Sequence, residues 1–174
     1  MNPPSAFNFQ WLSLLGVSVL LFLLFGVLSV FLGVTVPVVQ HLGQSRILVL
    51  NPEADTIVFG RPPSELLQTY EFLDTYRVIQ ADWKYANIMA VGLFQIALAW
   101  FGLRRRQKWT LWTLAVADLV MIPYWLLIFQ AYVSRGVPLS LSLVGVPLFI
   151  YPATIVPMAT VLGWLGFRKI ERNT

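Results

Sequence analysis

The feature that most constrains this chain is a long stretch near its start with no charged side chain. Residues 11–39 contain no Asp, Glu, Lys or Arg and are mostly apolar. About 20 apolar residues are enough for a helix to cross the ~30 Å hydrocarbon core of a bilayer. The stretch lacks a basic start and exceeds the apolar region of about 7–15 residues found in secretory signal peptides. It therefore predicts a retained transmembrane helix.

Three further apolar stretches, at residues 85–103, 109–129 and 139–167, complete the pattern. The chain is 57% hydrophobic and only 11% charged, whereas soluble domains are about 45–50% apolar and about 25% charged. This composition excludes a soluble enzyme, a disordered chain and a coiled coil, and the lack of cysteine excludes a disulfide scaffold. We expect an all-α membrane protein in which residues 1–174 form one four-helix antiparallel bundle.

The connection at residues 40–84 differs in kind, because it carries four basic and six acidic side chains. Residues 46–50 and 56–60 are typical of two short strands around Asn51-Pro52, which predicts a β-hairpin. Ser64 is a plausible N-cap for an amphipathic helix that follows it. The sequence thus predicts an outer loop of about 40 residues with a hairpin and a surface helix.

Basic residues at the ends of the second and fourth predicted spans set the expected topology. One cluster is Arg104, Arg105, Arg106 and Lys108, and the other is Arg168-Lys169. By the positive-inside rule, both termini are expected in the cytoplasm and the acidic loop outside it. The net charge of +4 then reflects topology rather than nucleic-acid binding, and the first cluster suits anionic lipid head groups. The absence of an Asn-x-Ser/Thr sequon favours a bacterial plasma membrane.

Asp118 is the one acidic side chain inside a predicted span. It follows Lys108 by ten residues, which places it about 15 Å deep in the bilayer. A carboxylate there costs at least ~2.5–3.5 kcal/mol, so we expect a neutral, hydrogen-bonding side chain that faces other helices. Two interpretations remain open: a group that handles protons or anchors a ligand, and a structural hydrogen bond.

Gln95 is the expected partner of Asp118. Gly92, Ala99 and Gly102 share its helix face, and small residues mark close helix contacts in lipid. The spacing predicts a Gln95–Asp118 hydrogen bond between the second and third spans.

Prolines interrupt the third and fourth spans. Pro123 follows Asp118 closely, and the fourth span holds three prolines, each of which deprives a carbonyl of its helical partner. Two tyrosines near these bends, Tyr124 and Tyr151, are candidates to line a ligand pocket.

A stripe of small residues runs along the first span and predicts a helix-packing seam. The seam consists of Ser18, Gly26, Ser29 and Gly33. The packing helix belongs either to this chain or to a partner subunit. His41, the only histidine, is a remote candidate for a haem or pigment ligand, and we expect no metal and no cofactor.

Four spans and a long first loop, with Phe94-Gln95 and Lys108-Trp109, resemble the layout of the emopamil-binding-protein (EXPERA) family. The resemblance implies binding of sterol-like ligands and, in some members, isomerisation. The second span here has neither acid nor histidine, so no catalytic residue is carried over.

Two functions follow as hypotheses. The first is a non-catalytic accessory or assembly subunit of a larger membrane complex, with membrane lipids and other membrane subunits as partners. The second is a small protein that binds a lipid- or sterol-like ligand, with isomerase-like chemistry an option, through Asp118 and Gln95.

Overall fold

The structure is a computed structural model that describes residues 9–43, 47–138 and 145–172, with side chains from residue 152 onward in the last range. All regular structure in these ranges is helical. The helices are α1 (Leu14–His41), α2 (Pro52–Phe59), α3 (Pro63–Thr69), α4 (Glu71–Ala97), α5 (Lys108–Leu119), α6 (Ile122–Val133) and α7 (Gly145–Arg172). A π-helical turn, Leu98–Leu103, continues α4 without a break.

Three helical segments of the described chain are long and apolar enough to cross a membrane. They are Leu14–His41, Glu71–Leu103 and Lys108–Val133. These segments indicate a membrane protein. The 28-residue α7 lies where the fourth span is expected, and that α7 also crosses the bilayer remains a prediction.

The small-residue seam of α1 packs against α4 of the same chain. A Cβ added to Gly26 would lie 2.9 Å from the Gly92 carbonyl oxygen, and one added to Gly33 would lie 2.9 Å from the Tyr85 carbonyl oxygen. Ser29 contacts the same helix, since a Cβ on Gly92 would lie 2.8 Å from the Ser29 Cβ. The two backbones therefore approach as closely as small residues allow, and antiparallel α4 fills this part of the seam.

Ser18, at the other end of the seam, packs against α7. Its hydroxyl donates a 2.7 Å hydrogen bond to the Ala159 carbonyl oxygen. Gly163 and Gly166 of α7 allow the close approach, because a Cβ on Gly166 would lie 2.6 Å from the Leu15 nitrogen. Helices α1, α4, α5 and α7 enclose an apolar core there that includes Val19, Phe22, Leu103, Leu111, Leu114 and Val156.

The third predicted span is one segment of two helices. Helix α5 ends at Leu119, and α6 begins at Ile122 with Pro123 in its first turn. Proline lacks an N–H and favours the start of a helix over its interior, so the break falls where the sequence places a bend.

The predicted hairpin is wrong in the described part of the loop. Residues 56–60 belong to α2 and its C-cap, not to a strand. Asn51-Pro52 begins this helix, because Asn51 Oδ1 accepts a 2.7 Å hydrogen bond from the Ala54 N–H and Pro52 is the first helical residue. A side-chain cap followed by proline is a helix-start signal as well as a turn signal, and here the helix forms.

The predicted surface helix also differs from the structure. Helix α3 begins at Pro63 rather than after Ser64, and its N-cap is Pro62, which makes no side-chain hydrogen bond. After Tyr70 the chain enters α4, so the amphipathic segment and the second span form one helical segment, Glu71–Leu103. At ~1.5 Å per residue this segment is about 50 Å long, which exceeds the hydrocarbon core.

The helices give the molecule two ends of different character. At the basic end, formed by residues 9–15, 104–108 and 167–172, Lys108 forms an ion pair with Glu171. At the loop end, formed by residues 40–43, 47–85 and 125–138, His41 Nε2 lies 2.9 Å from Asp82 Oδ2. Both basic clusters therefore lie at the end opposite the acidic connection, as the topology prediction requires.

Candidate functional site

The two intramembrane polar residues singled out in the sequence are in contact. Gln95 Nε2 donates a hydrogen bond to Asp118 Oδ1, and the side chains are 1% and 3% exposed. Gln95 Oε1 and Asp118 Oδ2 have no partner within the described chain. A proton on the carboxyl would supply the donor that Gln95 Oε1 lacks. The pair lies in packed core, and its role in ligand binding remains a prediction.

The tyrosines expected beside this pair do not join it in the described structure. Tyr124 is 62% exposed on the surface of α6, away from the buried carboxyl. The side chain of Tyr151 lies outside the described residues. The described residues therefore do not bring the two tyrosines together with Gln95 and Asp118 in one ligand site.

Aromatic rings hold two side chains of the basic cluster, Arg104 and Arg105, against the protein. The Arg104 guanidinium lies 4.3 Å from the Trp100 ring centroid and 5.6 Å from that of Trp11. Arg105 lies 5.8 Å from the Phe101 ring centroid. Such cation–π contacts order the basic side chains at the expected membrane surface. Head-group binding by Arg104, Arg105, Arg106 and Lys108 remains a prediction.

His41 is an exposed partner of Asp82 at the loop end. Within the described ranges, no group of three or more His, Cys, Asp or Glu side chains could hold a metal ion. The Nε2 atom of His41 is hydrogen-bonded to Asp82, and a role of His41 as a haem or pigment ligand remains a prediction.

A cavity of about 800 Å³ opens at the loop end, and sequence reasoning did not predict it. Its walls come from the last turns of α1, the segment 47–50, α3, the first half of α4 and one ring of α6. The apolar lining includes Val36, Val39, Leu48, Leu66, Leu73 and Trp125. Small-molecule sites are mostly apolar clefts of about 300–1,000 Å³, so the cavity has the size and character of a ligand site.

Four polar side chains with nitrogen atoms interrupt this lining: Gln40, Arg77, Gln80 and Lys84. The Arg77 guanidinium is already bound by protein side chains, because it lies 2.7 Å from Asp74 Oδ1 and donates a hydrogen bond to Gln40 Oε1. The Lys84 ammonium lies 5.3 Å from the Tyr85 ring centroid and 6.0 Å from that of Trp125. Arg77, Gln80 and Lys84 follow helical spacing, so α4 presents them on one face.

A buried carboxylate fixes the cavity wall that the loop provides. Asp55 is 0% exposed and accepts hydrogen bonds from the backbone N–H groups of Leu48, Val49 and Leu50 at 2.9, 3.1 and 3.3 Å. Tyr132 of α6 donates its hydroxyl to the same carboxylate at 2.7 Å. A protein interior tolerates a carboxylate when several hydrogen-bond donors satisfy its oxygen atoms. Asp55 therefore clamps segment 47–50 to α6.

The sequence offers only weak signals for this arrangement. Asp55 is one of six acidic residues in the predicted loop, and Tyr132 lies beyond the predicted end of the third span at residue 129. The helix-start signal at Asn51-Pro52 is the one cue that would have placed Asp55 in a first helical turn. The fold alone then brings Tyr132 to it.

Comparison of the chain with protein-family models, with curated proteins and with solved structures finds no match.

Proposed function

We propose that this chain is a non-catalytic membrane protein that binds one lipid-class amphiphile in the loop-end cavity. The observation that carries the proposal is the cavity itself: about 800 Å³, with a mostly apolar wall and a few polar side chains. Its volume suits a single-chain or compact ligand.

The position of the cavity supports an amphiphile. It lies at the level where the apolar parts of α1 and α4 meet the polar connection, which is the expected depth of a membrane–water interface. A ligand there keeps its apolar part among side chains such as Val36 and Leu73 while its polar part reaches the α4 face. On the positive-inside rule, with α7 as a fourth crossing, we place this end outside the cytoplasm.

The lining favours binding over chemistry. Among the residues that the structure describes, no Asp, Glu or His side chain lines the cavity. General acid–base catalysis most often uses His, Asp or Glu; Lys84 and the tyrosines are the lining groups that could transfer a proton. The carboxylate of Asp55, beside segment 47–50, is occupied by four donors. The ligand site proposed here is therefore separate from Gln95–Asp118.

The hypothesis of an accessory subunit used the small-residue seam of α1 as the contact surface for a partner. The small-residue seam of α1 is filled by α4 and α7 of the same chain, so it is not open to a partner helix. An assembly role would have to use another surface.

The test is native mass spectrometry of the full chain in nanodiscs of neutral lipid, with a cavity-filling variant. Ala81 lines the cavity, and Ala86 is an exposed residue of the same helix outside it. We expect the wild type and Ala86→Phe to retain one single-chain amphiphile and Ala81→Phe to lose it. Val36→Phe, from the α1 wall, repeats the test if Ala81→Phe lowers the melting temperature. Equal retention by both cavity variants, or an empty wild type, would contradict the proposal.

A further inference from the structure

The cavity contains one cation that no part of the described protein neutralises. Lys84 makes no ion pair or hydrogen bond with any residue of the described ranges, whereas Arg77, the other cation of the wall, is held by Asp74 and Gln40. The carboxylate of Asp82, two residues before Lys84, is paired with His41. The positive charge of Lys84 is therefore available to a ligand.

The surroundings of Lys84 suit an anion as its partner. Lys84 is an exposed residue of α4, and its Nζ lies beside the rings of Tyr85 and Trp125, which stabilise a cation. Charge-assisted hydrogen bonds strengthen where water is partly excluded. An ammonium beside apolar walls thus suits an oxygen anion that carries an apolar chain.

Gln80 adds a neutral donor at the right place. It precedes Lys84 by four residues on α4, and both line the cavity, so the two side chains are neighbours on the helix surface. An amide N–H₂ and an ammonium together supply several donors and suit a head group with more than one oxygen.

We propose that the amphiphile carries an anionic oxygen head group, a carboxylate or a phosphate monoester, bound by Lys84 with Gln80 beside it. The single acyl chain lies between α1, α3 and α4. This inference rests on the proposed function and specifies its ligand. No covalent step is involved.

The experiment compares three single-chain ligands of matched chain length on the full chain in neutral nanodiscs. Oleate carries a carboxylate, oleoyl lysophosphatidate carries a phosphate, and monoolein is uncharged. Occupancy is measured by native mass spectrometry during titration. We expect at least one of the two anions to bind about tenfold or more tighter than monoolein, the gain typical of a charge-assisted contact. The tighter of the two identifies the head group.

Variants of single lysines locate the effect. Lys84→Met should abolish the preference for the anion and leave monoolein binding unchanged, and Lys84→Arg should keep the preference. Lys169→Met is the comparison, because Lys169 is an exposed lysine that lines a second cavity, of about 790 Å³, at the basic end. It should behave as the wild type. Unchanged monoolein binding also shows that Lys84→Met is folded.

The outcomes distinguish the head-group assignment from the proposed function on which it rests. If all three ligands bind the wild type equally, or if Lys84→Met keeps the anion preference, the head-group assignment is overturned while ligand binding stands. If none of the three binds, the proposed function fails as well.

Discussion

The two halves of this molecule differ in what some of their polar side chains contact. In the packed half, which contains the apolar core, the Ser18 hydroxyl donates a hydrogen bond to the Ala159 carbonyl and the Gln95 amide donates one to Asp118. These polar atoms therefore make contacts between helices. At the loop end, polar side chains line a cavity of about 800 Å³, and Lys84 makes no ion pair or hydrogen bond with any residue of the described ranges. In the proposed function, the polar residues that contact the ligand are those that border the cavity.

The same contrast appears in how the two halves are held together. The packed half depends on glycines that allow backbones to touch, while the loop end depends on one carboxylate, Asp55, with four donors. Variants at these places should therefore fail in different ways.

The largest effect is expected in the packed half. Gly26→Leu places a side chain where a Cβ alone would lie 2.9 Å from the Gly92 carbonyl oxygen, so α1 and α4 must separate. We expect a loss of about 3 kcal/mol in the free energy of unfolding, measured by denaturant titration in detergent. Val27→Leu, on the exposed face of α1, is the control. Equal stability of the two variants would show that the helices do not meet at Gly26.

A smaller and local effect is expected at the clamp. Asp55→Asn turns an acceptor of four hydrogen bonds into a side chain that also presents donors to N–H groups, at a cost of about 2 kcal/mol. Hydrogen exchange should accelerate at the amides of residues 48–50 and stay unchanged in the first half of α1. Glu53→Gln, an exposed acid in the same helical turn, should leave exchange as it is. If the amides of residues 48–50 stay protected from exchange in Asp55→Asn, Asp55 does not hold this segment in place.

The smallest effect is expected for the intramembrane pair. A double-mutant cycle of Gln95→Leu and Asp118→Leu should give a coupling of about 1 kcal/mol in unfolding free energy, as hydrogen bonds between membrane helices do. Ligand binding at the loop end should not change in either single variant. A coupling near zero would separate the two residues, and a lost ligand in Asp118→Leu would move the site into the packed half.

Sequence reasoning succeeds where the signal lies within one helix, or where a costly buried group requires a partner on the neighbouring helix. The apolar run of α1 and the break at Pro123 follow from local rules, and the Gln95–Asp118 contact follows from cost and spacing. These features need no knowledge of distant chain segments.

It fails where segments far apart in the chain meet. Segment 47–50, α4 and Trp125 jointly enclose the cavity, and no periodicity within any one of them reports the space between. The hairpin prediction fails for a simpler reason, because Asn51-Pro52 fits both a turn and a helix start and only the surrounding contacts decide between them.

The most direct test of the loop-end cavity is a map of crosslinks from a fatty acid with a photoactivatable diazirine in its chain, bound to the full protein in neutral nanodiscs. The account predicts crosslinks on residues 35–40, 47–50 and 66–85 that unlabelled oleate displaces and that Ala81→Phe removes. Crosslinks confined to the exposed faces of α5 and α6, with no competition by oleate, would contradict it.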